Sequence, residues 1–540
     1  MLSYRKLAMR VLGRPFHTGG SDSPRPASQR AAAFILTAAM LITLSAPAFA
    51  DIWHIENGDI TISAGESGNN VTQNNNTTYG DTNTIITNQN KDTASSHTVT
   101  IEAKDKDDKV EVTLKDVNID TSSRNKAAVS VTSEGDTNIK LDGDNALKSD
   151  IYRSGIYGSG SLTISGGEND SLTAQGGSGA NGISSSGSLT ISGGTVTANG
   201  DDGGRGISSS GSVTISGGST VTANGGSGTI SGGDGIWSGG GVTISGGSTV
   251  TANGGNGGSL VGGDGIRSGG GLTVSDGTVT AKGGNGDSKD GYGGDGIRSG
   301  GVVTISGNTV NAAGGYGGKV GGYGICSFDR VAISGGTVEA AGGNGSTGGG
   351  SGIYSSVIDL SGSLELTAKA GSPSGRALSQ NGDELDLDTI KDKLGPGAKV
   401  TATDANGKTK EVSSPLPVEP EGPVIPEESS SSSDDGSATP SAPASPLPGL
   451  TVTDKDGQRI SYTSTQSGNT LTVCVGRFTA SFRISLAALR QLRAEGIETI
   501  TFQTILCSTT LSVDELLAMG GEDAEAVLTH RLTDSSLTVG

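Results

Sequence analysis

Two sets of side chains that could bind a ligand flank the isoleucines of a repeated motif. The first set directly follows the isoleucine and consists of Trp237, Arg267, Arg298 and Tyr354. The second set precedes it by two residues and consists of Asp234, Asp264 and Asp295. An aromatic face beside guanidinium groups is suited to stacking a sugar ring and pairing its carboxylates. A row of carboxylates is suited to a hard cation such as calcium.

These side chains can act together only if the repeat brings them into register. Gly-Ile occurs eight times between residues 155 and 354, and the isoleucines are spaced by 24 to 31 residues. A period in this range is typical of a solenoid. The isoleucines are Ile156, Ile183, Ile207, Ile236, Ile266, Ile297, Ile325 and Ile353.

Each copy continues with two short segments in which apolar residues alternate with polar ones. After Ile183, for example, Leu189 and Ile191 form one such pair, and Val196 and Ala198 form the next. A period of two indicates strands. Three short strands per coil, glycine-rich corners and no helical stretch predict a parallel β-helix. The Leu/Asn signature of leucine-rich repeats is absent.

The predicted coil determines where the candidate ligand-binding residues point. If each isoleucine points inward, the next residue points to solvent, and Trp237, Arg267 and Arg298 lie roughly 4.8 Å apart in one outward stripe. The alternative is that exposed positions vary freely and each arginine merely neutralises an aspartate. Carboxylates at this spacing repel one another by roughly 1 kcal/mol per pair in water. We therefore expect Arg267 and Arg298, or calcium, to offset the charge of Asp234, Asp264 and Asp295.

Composition supports a narrow β-helix and limits the partners. The 540 residues include 93 glycines and only 3% aromatics, which is too little bulky apolar material for a wide core. Disorder is the alternative for such a composition, but a disordered chain would not keep apolar residues in aligned columns. The net charge of −19 argues against nucleic acid as a partner, because phosphate binding needs clustered lysine and arginine.

The N-terminal segment predicts export. Residues 1–50 combine a basic start, an apolar run from Ala31 to Leu44 and the small-x-small sequence Ala48-Phe49-Ala50, as in a secretory signal peptide. A membrane anchor is the alternative, but the run is short for a bilayer. We expect a secreted or cell-surface protein with no membrane span after cleavage.

The rest of the chain predicts two folded regions and a linker. Residues 51–412 form the β-helix, with less regular first coils, a projecting loop at residues 69–79 and a C-terminal cap with one helical turn and an Asn-Gly hairpin. Residues 413–450 are a linker rich in Pro, Ser and Glu. Residues 451–540 form a small α+β domain with a helix over 486–495 and a capping box at Ser512 and Glu515.

The sequence contains no catalytic motif. His54, His97 and His530 lie far apart, and the histidines and three cysteines show no zinc spacing. We therefore predict no catalytic residues and no required cofactor. Cys474 and Cys507 fall on predicted strands of the last domain, where export would permit a disulfide. Two buried thiols are the alternative.

The chain resembles secreted bacterial carbohydrate-binding domain-containing proteins with a parallel β-helix, some of them similar to polygalacturonate-binding proteins. The resemblance covers residues 51–378 and depends on "DIWHIENGDITIS", "VEVTLKDVNID", "IKLDGDNALKS" and the "GSLTISGGTVTANG" repeats. It implies extracellular glycan binding without catalysis, with calcium as an optional aid.

Three functions follow from this reading, in decreasing order of support. The first is non-catalytic binding of a polysaccharide, most plausibly an acidic one, on the outward stripe. The second is a structural or adhesive spacer that displays the last domain. The third is a polysaccharide lyase or hydrolase, which ranks last because the short corners leave no groove for clustered catalytic groups.

Overall fold

The computed structural model describes residues 51–132, 134–414, 449–454, 458–460, 462–467, 469–475, 479–504, 508–521, 524–530 and 535–540. The chain divides into two compact units between Pro415 and Leu416. The predicted signal peptide lies outside the described residues, as does nearly all of the predicted linker.

The first unit is a parallel β-helix, as predicted. Its strands stack in three columns, and each strand pairs in parallel with the equivalent strand of the next coil. The first column begins at each Gly-Ile motif and contains β2 (Ile60–Gly65), β6 (Val99–Glu102), β9 (Val129–Val131), β12 (Ile156–Gly158), β15 (Ile183–Ser185), β18 (Ile207–Ser209), β21 (Ile236–Ser238), β24 (Ile266–Ser268), β27 (Ile297–Ser299) and β32 (Leu378–Gln380).

The second and third columns contain the two alternating segments of each repeat. The second consists of β1 (Ile52–His54), β5 (Thr84–Thr87), β7 (Lys109–Lys115), β10 (Asp136–Asp142), β13 (Leu162–Ser165), β16 (Leu189–Ser192), β19 (Val213–Ser216), β22 (Val242–Ile244), β25 (Leu272–Val274) and β28 (Val303–Ile305). The third consists of β8 (Asn118–Asp120), β11 (Asp144–Lys148), β14 (Ser171–Ser178), β17 (Thr195–Asp201), β20 (Thr220–Asn224), β23 (Ser248–Asn253), β26 (Gly277–Lys282), β29 (Thr309–Ala313) and β34 (Lys399–Thr403). Two long strands, β30 (Ile325–Ala341) and β31 (Ile353–Lys369), pass through all three columns.

Equivalent apolar side chains lie over one another inside the coil. Ile183 pairs with Ile207, and Ile207 with Ile236, and all three are fully buried. The serine two residues after each isoleucine is also buried, which the sequence analysis did not predict. Ser209 Oγ, for example, donates to the carbonyl oxygen of Gly187 in the preceding coil at 2.8 Å. These serines join neighbouring coils by side-chain hydrogen bonds in addition to the backbone ladder.

Antiparallel strands cover the N-terminal end of the first column. β3 (Gly68–Gln73) pairs antiparallel with the open edge of β2, and β4 (Asn76–Asp81) pairs with β3. The prediction of a loop at residues 69–79 is therefore wrong. The reason is that Val71 is buried, while the Asn69 amide donates to Thr84 Oγ1 and the Glu111 carbonyl. Capping an exposed edge in this way keeps it from pairing with another chain.

The C-terminal end is closed by the predicted Asn-Gly hairpin. β34 is the last rung of the third column, and β35 (Thr409–Ser413) pairs antiparallel with it. β33 (Asp383–Glu384) covers β32 in the same manner. The predicted helical turn is two short 3-10 turns, at Leu387–Thr389 and Lys391–Lys393.

Most glycines between the third and first columns serve a different purpose from the one expected. We expected them to supply positive φ at corners, and Gly217 and Gly218 do so between the second and third columns. The segments 225–233, 254–263, 283–294, 314–322 and 342–350, which we call the glycine ridge, instead need glycine for close backbone approach. The Gly263 amide donates to Gly255 O, and the Gly284 amide to Gly263 O, both at 2.8 Å. A Cβ on Gly263 would lie 1.9 Å from the Gly233 carbonyl oxygen.

The second unit is a small α+β domain, as predicted. One sheet contains β36 (Leu450–Thr453), β39 (Ala480–Ser485), β42 (Glu525–His530) and β43 (Ser535–Val539). The other contains β37 (Thr463–Ser467), β38 (Thr470–Cys474), β40 (Thr499–Gln503) and β41 (Ser508–Ser512). Helices α1 (Leu486–Ala494) and α2 (Val513–Met519) are capped by Ser485 and Ser512, as expected. Strands β41, β42 and β43 were not predicted. No helix in the described part of the chain is long and apolar enough to span a membrane.

The predicted disulfide of the second unit involves one cysteine that the structure describes. Cys474 is a half-buried free thiol, and its Sγ lies 3.4 Å from Gln503 Oε1. Cys507 lies outside the described residues. The disulfide stays a prediction.

The glycine ridge yields a stability prediction. Gly263→Ala should lower the free energy of unfolding by about 1–3 kcal/mol or more, because the added methyl group meets a backbone carbonyl that cannot move without shifting its whole coil. Thermal unfolding followed by circular dichroism measures the effect. Gly158→Ala is the matched control, since its Cβ would lie 3.7 Å from the nearest atom and serine occupies the same position one coil later. Equal melting temperatures for the two variants would contradict this account of the ridge.

Candidate ligand-binding face

The predicted outward stripe is formed by the first column. Trp237 pairs with Arg267 and Arg267 with Arg298 in the strand register, so the three side chains occupy consecutive rungs. Arg267 is exposed, and Trp237 and Arg298 are half-buried. The buried isoleucines on either side set this outward direction, because alternate side chains of a strand point to opposite faces.

A fourth residue, Arg205, joins this stripe and was not singled out from the sequence. Its guanidinium carbon lies 4.4 Å from the centroid of the Trp237 ring. Its Nε lies 3.2 Å from Asp234 Oδ2. The cation therefore holds the indole in place and covers part of one face. We call Arg205, Trp237, Arg267 and Arg298 the arginine stripe.

Tyr354 lies in the same column but apart from the arginine stripe. Between Arg298 and Tyr354 in the register stands Cys326, which is buried. The Tyr354 ring stacks on Tyr323 with the ring centroids 5.0 Å apart and the planes at 19°. Arg298 instead lies over Phe328, at 5.3 Å from the ring centroid. The aromatic pair thus forms a separate feature at the C-terminal end of the stripe.

The three aspartates form a buried ladder rather than an exposed row. Oδ1 of Asp234 accepts a hydrogen bond from the Asp264 amide at 2.9 Å, and Oδ1 of Asp264 accepts one from the Asp295 amide at 2.8 Å. Asp295 Oδ1 accepts in turn from the Tyr323 amide at 2.7 Å. Each carboxylate therefore satisfies a backbone donor of the next coil. Asn181 does the same for Arg205, at 2.8 Å.

The charges in this ladder are offset by other partners than expected. Asp234 pairs with Arg205, and Asp295 lies 3.6 Å from the Arg298 guanidinium. Arg267 forms no ion pair with a carboxylate of the described residues. The expectation that Arg267 neutralises the column is therefore wrong, because its exposed side chain is directed away from the buried ladder.

Burial of the ladder changes its protonation. Burial, followed by repulsion from Asp295 and Asp234, raises the pKa of Asp264 to about 8. Burial also raises the pKa of Asp295, although the Tyr323 amide and Arg298 oppose the shift. At neutral pH Asp264 is then mostly uncharged, so the positive charge of Arg267 is not cancelled beneath the stripe.

The calcium site expected at Asp234, Asp264 and Asp295 has an oxygen-rich ligand set, but those oxygens already have protein partners. Each Oδ1 is occupied by a backbone amide, and Asp234 Oδ2 is held by Arg205. Among the residues that the structure describes, no group of three or more His, Cys, Asp or Glu side chains is arranged to hold a metal ion. The geometry therefore adds no support for calcium at the ladder.

A cleft of about 710 Å³ opens on the same face, nearer the N-terminus. Its floor contains the outward side chains Ser130, Tyr157 and Ser184, which occupy consecutive rungs of the first column. The loops that precede these strands form one wall, with Asn125, Lys126, Tyr152, Arg153 and Asn181. In the register, only Ser208 stands between Ser184 and Trp237. The cleft and the arginine stripe are therefore parts of one line.

Tyr152 is the most unusual residue of the cleft. Its φ of 60° lies in the left-handed region, which costs a non-glycine residue about 1–3 kcal/mol. Its side chain is nevertheless 78% exposed. Gly179 of the next coil makes room for the ring, since a Cβ there would lie 2.9 Å from Tyr152 Cε1. A strained backbone that presents an exposed aromatic ring points to a binding role rather than to core packing.

The sequence contained one signal for this cleft. Tyr157 occupies the position directly after an isoleucine, as Trp237 and Tyr354 do. The wall could not be foreseen, because its residues belong to loops without a shared spacing. Asn125 and Tyr152 come together only through contacts between coils such as the hydrogen bond from Arg153 Nε to Asn125 Oδ1.

Comparison with known proteins does not extend these observations. No family model matches the chain, and neither the curated proteins nor the solved structures give a significant match. The resemblance to carbohydrate-binding β-helix proteins therefore stays an expectation, and the function must be argued from the face itself.

The aspartate ladder predicts how stability depends on pH. Because the pKa of Asp264 is raised in the folded state, that state keeps a proton which the unfolded chain releases above its ordinary pKa of 3.8. This group therefore stabilises the fold at low pH, and its contribution is lost as the pH rises to about 8, at up to about 1.4 kcal/mol per pH unit. Asp264→Asn keeps an oxygen for the Asp295 amide, as Asn181 shows, and removes the proton.

We expect the Asp264→Asn protein to melt at a higher temperature than the parent at pH 8.5 and at a similar temperature at pH 4. Melting curves across this range measure the difference. Asp290→Asn, at an exposed position of the glycine ridge, should follow the parent at every pH. A variant that melts lower than the parent at pH 8.5 would show that the ladder needs the negative charge.

Proposed function

We propose that this protein is a non-catalytic binder of an acidic polysaccharide, which lies along the outward face of the first column. The observation that carries the proposal is the in-register row of Trp237, Arg267 and Arg298, in which Arg267 has no carboxylate partner among the described residues. A linear polymer with a carboxylate on successive sugars matches a linear row of cations on successive rungs.

The chemistry of the row suits such a ligand. A guanidinium group binds a carboxylate through two parallel hydrogen bonds, which a neutral sugar cannot accept as well. The indole of Trp237 offers an apolar face for the C–H groups of a sugar ring. Since Arg205 already covers part of that ring, the sugar would contact what remains exposed.

The acidic net charge of the chain does not prevent binding of an anion here. Charges on the surface are screened beyond about 8 Å at physiological ionic strength, so the local charge decides. Three arginines face two ionised aspartates and the mostly protonated Asp264. The stripe therefore carries a net positive charge within an acidic protein.

Removing the stripe should abolish retention. In Trp237→Ser with Arg267→Ser, both residues become the serine found at the same position one coil earlier, Ser208, so the coil should be preserved. A charge-assisted hydrogen bond contributes about 1.5–3 kcal/mol, so we expect affinity for polygalacturonate to fall roughly tenfold or more. Affinity electrophoresis with the full chain measures the retention.

The controls are Arg330→Ser and Tyr316→Ser, which remove an exposed cation and an exposed aromatic ring elsewhere on the chain. Both should be retained like the parent. Retention should also decrease with added salt and should be absent on a neutral galactan. If the parent protein is not retained on any uronic-acid polymer, the proposed function is wrong.

Retention should also depend on pH in one direction. As the pH rises from 7 to 9, Asp264 loses its proton and places a negative charge one rung from Arg267. We therefore expect binding of an acidic polymer to weaken by a few-fold. The Asp264→Asn protein should show no such change over this range. An equal loss in both proteins would mean that another group titrates.

A rigid spacer that displays the second unit is the other candidate function. It is favoured by the continuous stack, in which serine and aspartate side chains join each coil to the next and antiparallel strands close both ends. This function predicts no retention on any glycan and small-angle scattering typical of a rod for the first unit.

A further inference from the structure

We infer that the cleft beside Tyr152 and Tyr157 is a separate binding site for a sugar that carries an anionic group. The inference extends the proposed function, since it assigns an acidic saccharide to a place away from the arginine stripe. It rests on the make-up of the cleft, on the strained presentation of Tyr152 and on the distribution of charge around it.

The cleft has the dimensions and lining of a small-ligand site. Its volume of about 710 Å³ lies within the range of pockets that hold a drug-sized molecule. Two tyrosines supply apolar faces with polar tips, and both are exposed. Hydroxyl and amide groups of Ser130, Ser184 and Asn181 lie on the floor and wall. Such a mixture suits a ring that is apolar on its faces and hydroxylated at its edge.

The charge of the cleft selects an acidic sugar. Of the described residues that line it, two are cationic and none is acidic, although the whole chain has 56 acidic and 37 basic residues. Lys126 is already neutralised, because its Nζ lies 3.0 Å from Asp59 Oδ2. Arg153 is exposed, and its one recorded partner is the neutral Asn125. Its remaining N–H groups are therefore the best donors for an anionic group.

Asp59 keeps the rest of the wall in place. Burial alone would raise the pKa of Asp59, but hydrogen bonds from Lys126, the Thr98 amide and Arg124 hold it well below its usual range. The carboxylate therefore stays ionised and orients two cations of the loop that contains Asn125. This arrangement leaves Arg153 as the cation that can respond to a ligand.

The position of the cleft makes it a second site on the same line. Three rungs separate Tyr157 from Trp237, which corresponds to roughly 14 Å along the column. A short saccharide can therefore fill the cleft without reaching the stripe, whereas a long polymer can contact both. Oligomer length thus separates the two sites experimentally.

Titration calorimetry of the full chain tests the inference with mono- to trimers of galacturonate, the matched galactose oligomers and inorganic sulfate. Tyr157→Ser takes the residue found one coil later, and Arg153→Gln removes the charge. We expect each change to weaken trigalacturonate binding about tenfold, and we expect Arg153→Gln to leave galactose binding unchanged. Tyr316→Ser and Lys289→Gln, on the glycine ridge, should bind like the parent.

Three outcomes would overturn the inference. They are trigalacturonate binding that is unchanged in both cleft variants, equal affinity for galacturonate and galactose oligomers, and competition by inorganic sulfate as effective as that by the trimer. These outcomes leave the proposed function testable on its own. If polygalacturonate retention is lost with Trp237→Ser and Arg267→Ser but not with the cleft variants, the stripe binds the polymer and the cleft does not.

Discussion

Each coil of this protein is held to the next by parallel hydrogen bonds between equivalent residues, and the other features of the first unit depend on that constraint. A side chain meets its own kind one rung away, so aliphatic residues stack on aliphatic residues, as Ile207 does on Ile236. The same rule brings like charges together. The fold must therefore solve, at every rung, the problem of repeated polar groups at close spacing.

Two solutions recur. Where a backbone amide would lack a partner, a side chain of the preceding coil accepts from it, as Asp264 does for Asp295. Where two backbones must touch, glycine removes the side chain, as at Gly263. Both solutions join consecutive coils directly. This explains why aspartates and glycines that look like ligands or flexible corners in the sequence are structural elements of the stack.

The same constraint gives the outer face its chemistry. Burial protonates Asp264 and so leaves Arg267 uncompensated, which turns an acidic protein locally cationic. Farther toward the N-terminus, the walls of the coil separate and form a cleft in which no described lining residue is acidic. A linear face with cations at two places suits a linear anionic ligand better than a compact one.

The sequence alone determined the coil and the direction of its side chains, because a period of two within strands and a near-constant period between isoleucines leave one register. Trp237, Arg267 and Arg298 could therefore be placed before the structure was known. Tertiary structure decided what periodicity does not encode: the burial of Asp234, Asp264 and Asp295, the role of Arg205, the strands at residues 68–81, and the cleft at Tyr152. These depend on contacts between loops of different length, and on a dielectric environment that exists only once the coils are stacked.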